Sequence, residues 1–327
     1  MELTRYAARR AVFALLLVYV ASSAAIVVTF LAPSECHGAA VMDTSARAMC
    51  DERERLGLNR PFATQYLDWM TRALRLDLGV SLLYSGRSVT GLIRASAFNT
   101  AVLAVAALLL ATGVGIPLGI YTGSRERGVG VSLVRGGSLL MLSVPPLIAS
   151  LALVLMAAKT GWLPIGGMAS AASLDASWWS RLIDVVRHVP VPALALALPF
   201  MATLERLQSQ AMSEAAAAPF VRAARARGVS TDIALLRHAW PSSLRPVLGL
   251  YGFMIGTLFS GSFVVEYVTS WPGLGALMIA GLRARDLHLV AGCAATGALF
   301  LAGGVFIADV LLALVDPRVR FGTKATQ

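Results

Sequence analysis

From Ala11 to Ala32 the chain runs 22 residues without a charge, and uncharged runs of similar length recur along it. A helix rises 1.5 Å per residue, so ~20 mostly apolar residues cross the ~30 Å hydrocarbon layer of a bilayer. Further runs cover about 98–123, 138–158, a Pro-rich 189–204, 246–265 and 289–315, the last containing Asp309. The sequence thus predicts six transmembrane helices. Composition agrees: 57 % of residues are hydrophobic and 14 % charged, against roughly 45–50 % and 25 % in a soluble domain. The apolar fraction excludes disorder, and three cysteines exclude a disulfide-built scaffold.

Arg5, Arg9 and Arg10 precede the first run in the manner of a signal peptide. The run is longer than the roughly 7–15 apolar residues of such a peptide's core, and it is read as an anchored helix. Six spans put both ends on one side. The termini and the loops 124–137 and 205–245 carry 15 basic and 6 acidic residues, whereas 33–97, 159–188 and 266–288 carry 13 and 11. The positive-inside rule then makes both termini cytoplasmic. The expected organisation is an N-terminal transmembrane helix (1–32), an extracytoplasmic segment (33–97), a five-helix core (98–315) with a cytoplasmic loop at about 205–245, and a cytoplasmic tail (316–327). The basic residues are spread over loop ends rather than along one face, which argues against nucleic acid as a partner.

Motifs for chemistry are missing. Lys159-Thr160 follows Leu155-Met156-Ala157-Ala158, without the glycines of a phosphate-binding loop. His37, His188, His238 and His288 lie far apart, no H-E-x-x-H or C-x-x-C occurs, and no G-x-S-x-G elbow is present. Cys36-His37 with Cys50 offers three metal donors at a loose spacing, a weak signal. An ion-coupled carrier places acids in its spans; only Asp309 and Glu266 come near that description. The expectation is no catalytic, cofactor or metal site in the chain. Cys36 and Cys50 both fall in the outer segment, where an oxidising compartment would favour a disulfide, while Cys293 belongs to the sixth span as a small buried residue.

The loop 205–245 is the informative stretch. Ala and Arg favour helix through Phe220-Val221-Arg222-Ala223-Ala224-Arg225-Ala226-Arg227, and Gly228 suits the left-handed position that ends one. Ser230 or Thr231 can cap a second short helix running to Trp240. A lipid-surface helix is one reading of this loop. The small residues 223, 224 and 226 favour another, in which a second protein approaches closely.

These residues, with Arg237-His238-Ala239 and Pro246 after them, resemble the EAA loop of binding-protein-dependent ABC importers, in the dipeptide/oligopeptide/nickel branch. The resemblance extends through Leu56-Gly57-Leu58-Asn59-Arg60-Pro61, Gln65-Tyr66, Asp77-Leu78-Gly79-Val80-Ser81, Gly115-Ile116-Pro117-Leu118-Gly119, Ser143-Val144-Pro145-Pro146, Trp162-Leu163-Pro164-Ile165-Gly166-Gly167, Glu266, Ser270-Trp271-Pro272-Gly273-Leu274-Gly275 and Asp316-Pro317-Arg318-Val319-Arg320. The chain departs from that pattern at Leu31-Ala32-Pro33-Ser34-Glu35, at Leu76 where glycine is usual, and at Arg222 in the acid position. The long outer segment is similar to that of the B-type permease. The resemblance implies an all-α membrane protein of the type I ABC importer permease fold, carrying peptides or, in other members, nickel, glutathione or other small solutes. It implies a C-type permease partner, two ATP-binding cassette subunits that hold ATP and Mg, and an extracytoplasmic peptide-binding protein. It also implies ATPase coupling through Phe220, Arg222, Ala223, Ala224, Arg225 and Gly228. A non-ABC secondary carrier or a membrane scaffold is the alternative.

Overall fold

A computed structural model of the chain describes residues 2–31, 54–55, 60–125, 127–170 and 177–315. These fold as helices: α1 (Glu2–Leu31), α2 (Phe62–Ala73), α3 (Val89–Gly123), α4 (Val129–Ser143), α5 (Pro146–Thr160), α6 (Trp178–His188), α7 (Pro190–Ala216), α8 (Pro219–Ala226), α9 (Thr231–Ala234), α10 (Trp240–Val268), α11 (Leu274–Arg283) and α12 (Leu287–Val315). Four stretches are long and apolar enough to cross a membrane: Ala11–Val28, Val89–Gly123, Pro190–Ala216 and Leu287–Ile307. Two bent pairs raise the number to six if each is one span.

One bent pair replaces the expected third run of 138–158. α4 and α5 meet at 105°. The cause is Val144-Pro145-Pro146: a residue before proline is pushed out of the helical region, and Val144 (φ −93°, ψ 112°) and Pro145 (φ −60°, ψ 146°) are both extended. Pro146, which has no N–H to leave unsatisfied, then starts α5. The expected fourth run ended at Leu204, yet α7 continues to Ala216. Glu205 and Gln208 are therefore buried helix residues rather than loop residues.

The chain forms two compact units. In the larger, residues 101–271 with the chain ends, α7 is central and packs on α10, α4 and α5. Its first half, Pro190 to Ala202, is rich in alanine, so neighbouring backbones come close. The core gathers Leu103, Ala107 and Ala111 of α3 with Leu196 and Leu204 of α7 and Met254 of α10. Gly115, Gly119 and Gly123 form a stripe four residues apart on α3. A Cβ at Gly115 would stand 2.7 Å from the Met201 carbonyl, and one at Gly119 would stand 2.6 Å from Gln208 Cβ. At Gly123 it would collide with the Ser209 carbonyl. Only glycine permits this approach of α7.

The smaller unit comprises 11–100 and 272–302. Cys293 is fully buried there beside Val89, Ile93 and Leu289, as its place in an apolar run predicts. Asp286 holds the unit together. It accepts from Ser81 Oγ (2.6 Å) and the Leu83 N–H (3.1 Å), and caps α12 by accepting from the Leu289 N–H (3.1 Å). Asn99 Nδ2 donates to the Pro272 carbonyl (2.8 Å), and the Leu274 N–H donates to Thr100 Oγ1 (2.7 Å). Such bonds reach both the Asp77–Ser81 and the Ser270–Gly275 tracts singled out in the sequence, at Ser81, Pro272 and Leu274. Cys36, His37, Cys50 and the tail 316–327 lie outside the described residues.

Candidate functional site

The segment joining α7 to α10 is built around α8. Pro219 occupies its first turn, where a missing N–H costs nothing. Eight residues are too few for a helix to persist alone, so packing must hold it. Val221 and Ala224, each 1 % exposed, face inward, and Val221 joins Met212 of α7 with Ala234 and Ala239. Phe220, Arg222, Ala223, Arg225 and Ala226 are exposed. The six residues expected to serve the site thus divide. Ala224 is a packing residue, and Phe220, Arg222, Ala223 and Arg225 form an outward surface.

Gly228 stands where α8 stops. Its φ is +87°, a conformation glycine adopts without a Cβ penalty. Its N–H donates to the Arg225 carbonyl (2.9 Å) and the next N–H, of Val229, donates to the Ala224 carbonyl (3.3 Å). That pair of bonds is a Schellman cap. Ser230 occupies the N-cap position of the next helix, but its side chain makes no capping bond.

The second short helix differs from its expected form. α9 runs directly into a π turn, Leu235–Ala239, and then into α10. A proline ring strikes the carbonyl four residues back, which for Pro241 is that of Arg237. The widened π turn opens the helix there without ending it. The second half of the segment is therefore a rigid extension of α10. Its buried side carries Ala234 and Ala239, and its outer side exposes Ile233, Leu236 and Trp240. The 3–4 residue spacing of these three was the sequence signal for an outward apolar stripe.

Behind the segment, buried polar bonds link three helices. Thr122 Oγ1 of α3 donates to Glu205 Oε1 of α7 (2.6 Å), and Gln208 Nε2 of α7 donates to Ser243 Oγ of α10 (2.8 Å). Arg135 of α4 donates to the Thr122 carbonyl (3.2 Å). Glu205 Oε2 and Gln208 Oε1 meet no donor among the described residues. Sequence reasoning missed these positions because Glu205 reads as the charge that ends a span. Among the described residues no three His, Cys, Asp or Glu side chains come together as a metal site.

Residues 115–321 match the family of binding-protein-dependent transport system inner membrane components. The chain belongs to this family. As such a component it is a multi-pass membrane protein, in accord with its apolar helices. It is 32 % identical to an oligopeptide transport system permease protein, AppB, of Bacillus subtilis, over 82 % of this chain and 84 % of that one. It is 31 % identical to the oligopeptide transport system permease protein OppB of Mycobacterium tuberculosis, over 97 % of this chain and 99 % of that one. The family match takes in the glycine stripe of α3, α8 and the whole of α10.

Proposed function

We propose that this chain is the B-type permease subunit of an ATP-driven importer of di- and oligopeptides. The names of its relatives support the cargo. In this reading it lies in the plasma membrane with both termini cytoplasmic, and forms half of the translocation pathway with a C-type permease. Two ATPase subunits carry the ATP and Mg, an extracytoplasmic binding protein delivers the peptide, and the chain itself performs no catalysis. Residues 217–239 dock on an ATPase.

The observation that carries the coupling role is the division of α8. One face is fixed to α7 and to the extension of α10. The other presents Phe220, Arg222, Ala223 and Arg225, all exposed among the described residues. A short element exposed on one side and rigidly held on the other converts a push from a partner into motion of the helices behind it. Transmission of this kind needs an element whose equilibrium both sites bias.

The test is reconstitution of the importer, both permeases and both ATPase subunits with the binding protein, in liposomes. ATP hydrolysis should rise when the binding protein is supplied with di- to hexapeptides, and labelled peptide should enter. Stimulation by nickel and not by peptide would replace the cargo. Orientation is tested separately in a chain with Cys36→Ser and Cys50→Ser: Arg87→Cys should react with an impermeant thiol reagent in intact cells and Ser230→Cys should not. The reverse pattern would remove the cytoplasmic coupling role.

A further inference from the structure

Helix α6 is amphipathic the wrong way round for a helix covered by its own protein. Successive residues turn by 100°, so Trp178, Leu182, Val186, Trp179 and Ile183 share one continuous arc, and Ser180, Asp184, Arg187 and His188 share the opposite one. A helix on a soluble core buries its apolar arc. Here the attached residues, Asp184 and His188, belong to the polar side, while Ser180 and Arg187 of that side are exposed. Asp184 Oδ2 accepts from the Ser170 N–H (2.6 Å) and from Ser170 Oγ (3.0 Å). His188 is 7 % exposed, and its Nδ1 lies 2.7 Å from the Asp184 carbonyl to which it donates. The five apolar side chains are all exposed, from Leu182 at 47 % to Trp178 at 65 %.

Two further observations say what covers that arc. α6 leads directly into α7, one of the stretches able to cross a membrane. The Ser170–Asp184 bonds tie it to the loop that follows α5, where Trp162 is 83 % exposed and Ile165 57 %. Two tryptophans stacked at 4.0 Å thus stand where one span begins, and Trp162 stands in the loop where another ends. Tryptophan concentrates at the level of lipid headgroups because its ring is apolar and its N–H is polar. Arg187 borders the apolar arc, where its stem can lie along acyl chains and its head reach anionic lipid.

We propose that α6 is an interfacial anchor, lying in the headgroup layer with Trp178, Trp179, Leu182, Ile183 and Val186 among lipid and with Trp162 at the same level. The site rests on the multi-pass character of the chain and not on its cargo or its coupling segment.

The test uses the assembled importer in nanodiscs of phosphatidylcholine and phosphatidylglycerol, with native cysteines replaced and a nitroxide at Leu182→Cys, Val186→Cys or Ser180→Cys. At Leu182 and Val186, relaxation by oxygen should exceed relaxation by a water-soluble nickel chelate, and at Ser180 the order should reverse. Adding Trp178→Ser and Trp179→Ser should move the Leu182 label toward aqueous values. Nickel access at both Leu182 and Val186 would overturn the anchor, as would shielding from both reagents, which indicates a protein partner. If the cysteine variants fail to assemble, benzoylphenylalanine at Leu182 in the otherwise native complex decides: cross-links to lipid support the proposal and cross-links to a protein subunit refute it.

Discussion

Gly228 allows the coupling segment to be perturbed through backbone conformation alone. A Cβ built there meets nothing within 4 Å, so no clash is introduced by a larger residue. What remains is the left-handed backbone at φ +87°, which costs an ordinary residue about 1–2 kcal/mol. Asn tolerates that region and should lose less, whereas β-branched Val should lose more than Ala. A loss of 1–2 kcal/mol changes the ratio of capped to frayed α8 by roughly 5–30-fold. The amides that report it are those of Gly228 and Val229, which close the cap. Hydrogen exchange at these two should accelerate by about that factor in Gly228→Ala, further in Gly228→Val, and little in Gly228→Asn. Peptide-stimulated ATP hydrolysis should fall in the same order, with membrane abundance unchanged because the spans are untouched. Equal exchange and equal stimulation in the Asn and Val variants would refute the reasoning, since both are bulky and only backbone preference separates them.

The two faces of α8 predict a contrast between adjacent alanines. Ala223→Glu, on the exposed face, should leave abundance normal and abolish stimulation by the binding protein, whereas Ala224→Glu should lower abundance by burying an unpaired charge at a side chain only 1 % exposed; quantitative immunoblotting beside the ATPase assay distinguishes them. Leu76 is 80 % exposed and sits at φ +60° in the cap that ends α2, so Leu76→Gly relieves about 1–2 kcal/mol of strain, less the roughly 0.4–1 kcal/mol that a freer unfolded chain takes back. A raised thermal midpoint of the purified complex is the expected outcome, and a lowered one counts against it. Cys36 and Cys50, on the proposed outer side, should be bridged, stabilising that segment by ~3 kcal/mol for a 15-residue loop; non-reducing mass spectrometry that finds both alkylated would exclude the bridge.

Helix existence was legible because apolar runs report it directly, and the runs at 98–123 and 289–315 correspond to parts of α3 and α12. Helix ends were less so. Leu76, Gly228, Ser270 and Arg285 all have positive φ, and all close Schellman caps: the N–H after each returns to Arg72, Ala224, Glu266 and Gly281 respectively. Only the cap carrying glycine could be read in advance, because the other three run against the local preference of Leu, Ser and Arg. The same limit hid the C-terminal half of α7. Apolar counting stops at Glu205, while the structure keeps that carboxylate inside by pairing it with Thr122 across the glycine stripe. In the sequence α6 was passed over as part of the outer loop 159–188, and although two tryptophans and a 3–4 spacing mark an apolar arc, periodicity cannot say whether such an arc faces core or lipid. The Ser170–Asp184 bonds tie the polar side to the chain and leave the apolar arc outward.

The way α7 and α10 are joined explains why a contact at so small an element as α8 can matter to the whole larger unit. If the segment were tethered only by flexible loops, movement of α8 would be lost in local rearrangement. Instead its inner face shares a closed apolar cluster with Met212, Ala234 and Ala239, and packed clusters resist sliding because dispersion contacts are lost before new ones form. The π turn keeps α9 continuous with α10, so Ala234 and Ala239 cannot move without the helix that carries them. Met212 stands one turn beyond Gln208, whose bond to Ser243 bridges α7 and α10, and two turns beyond Glu205, bound to α3. Breaking either bond leaves a buried polar group unpaired, at about 1–3 kcal/mol for a neutral group and more for a charged one. Rotating the helices together keeps both bonds. On the proposed reading, closure of the ATPases therefore displaces α3, α7 and α10 as one body, and the break at Val144-Pro145 between α4 and α5 is the adjacent place where the backbone can absorb the difference.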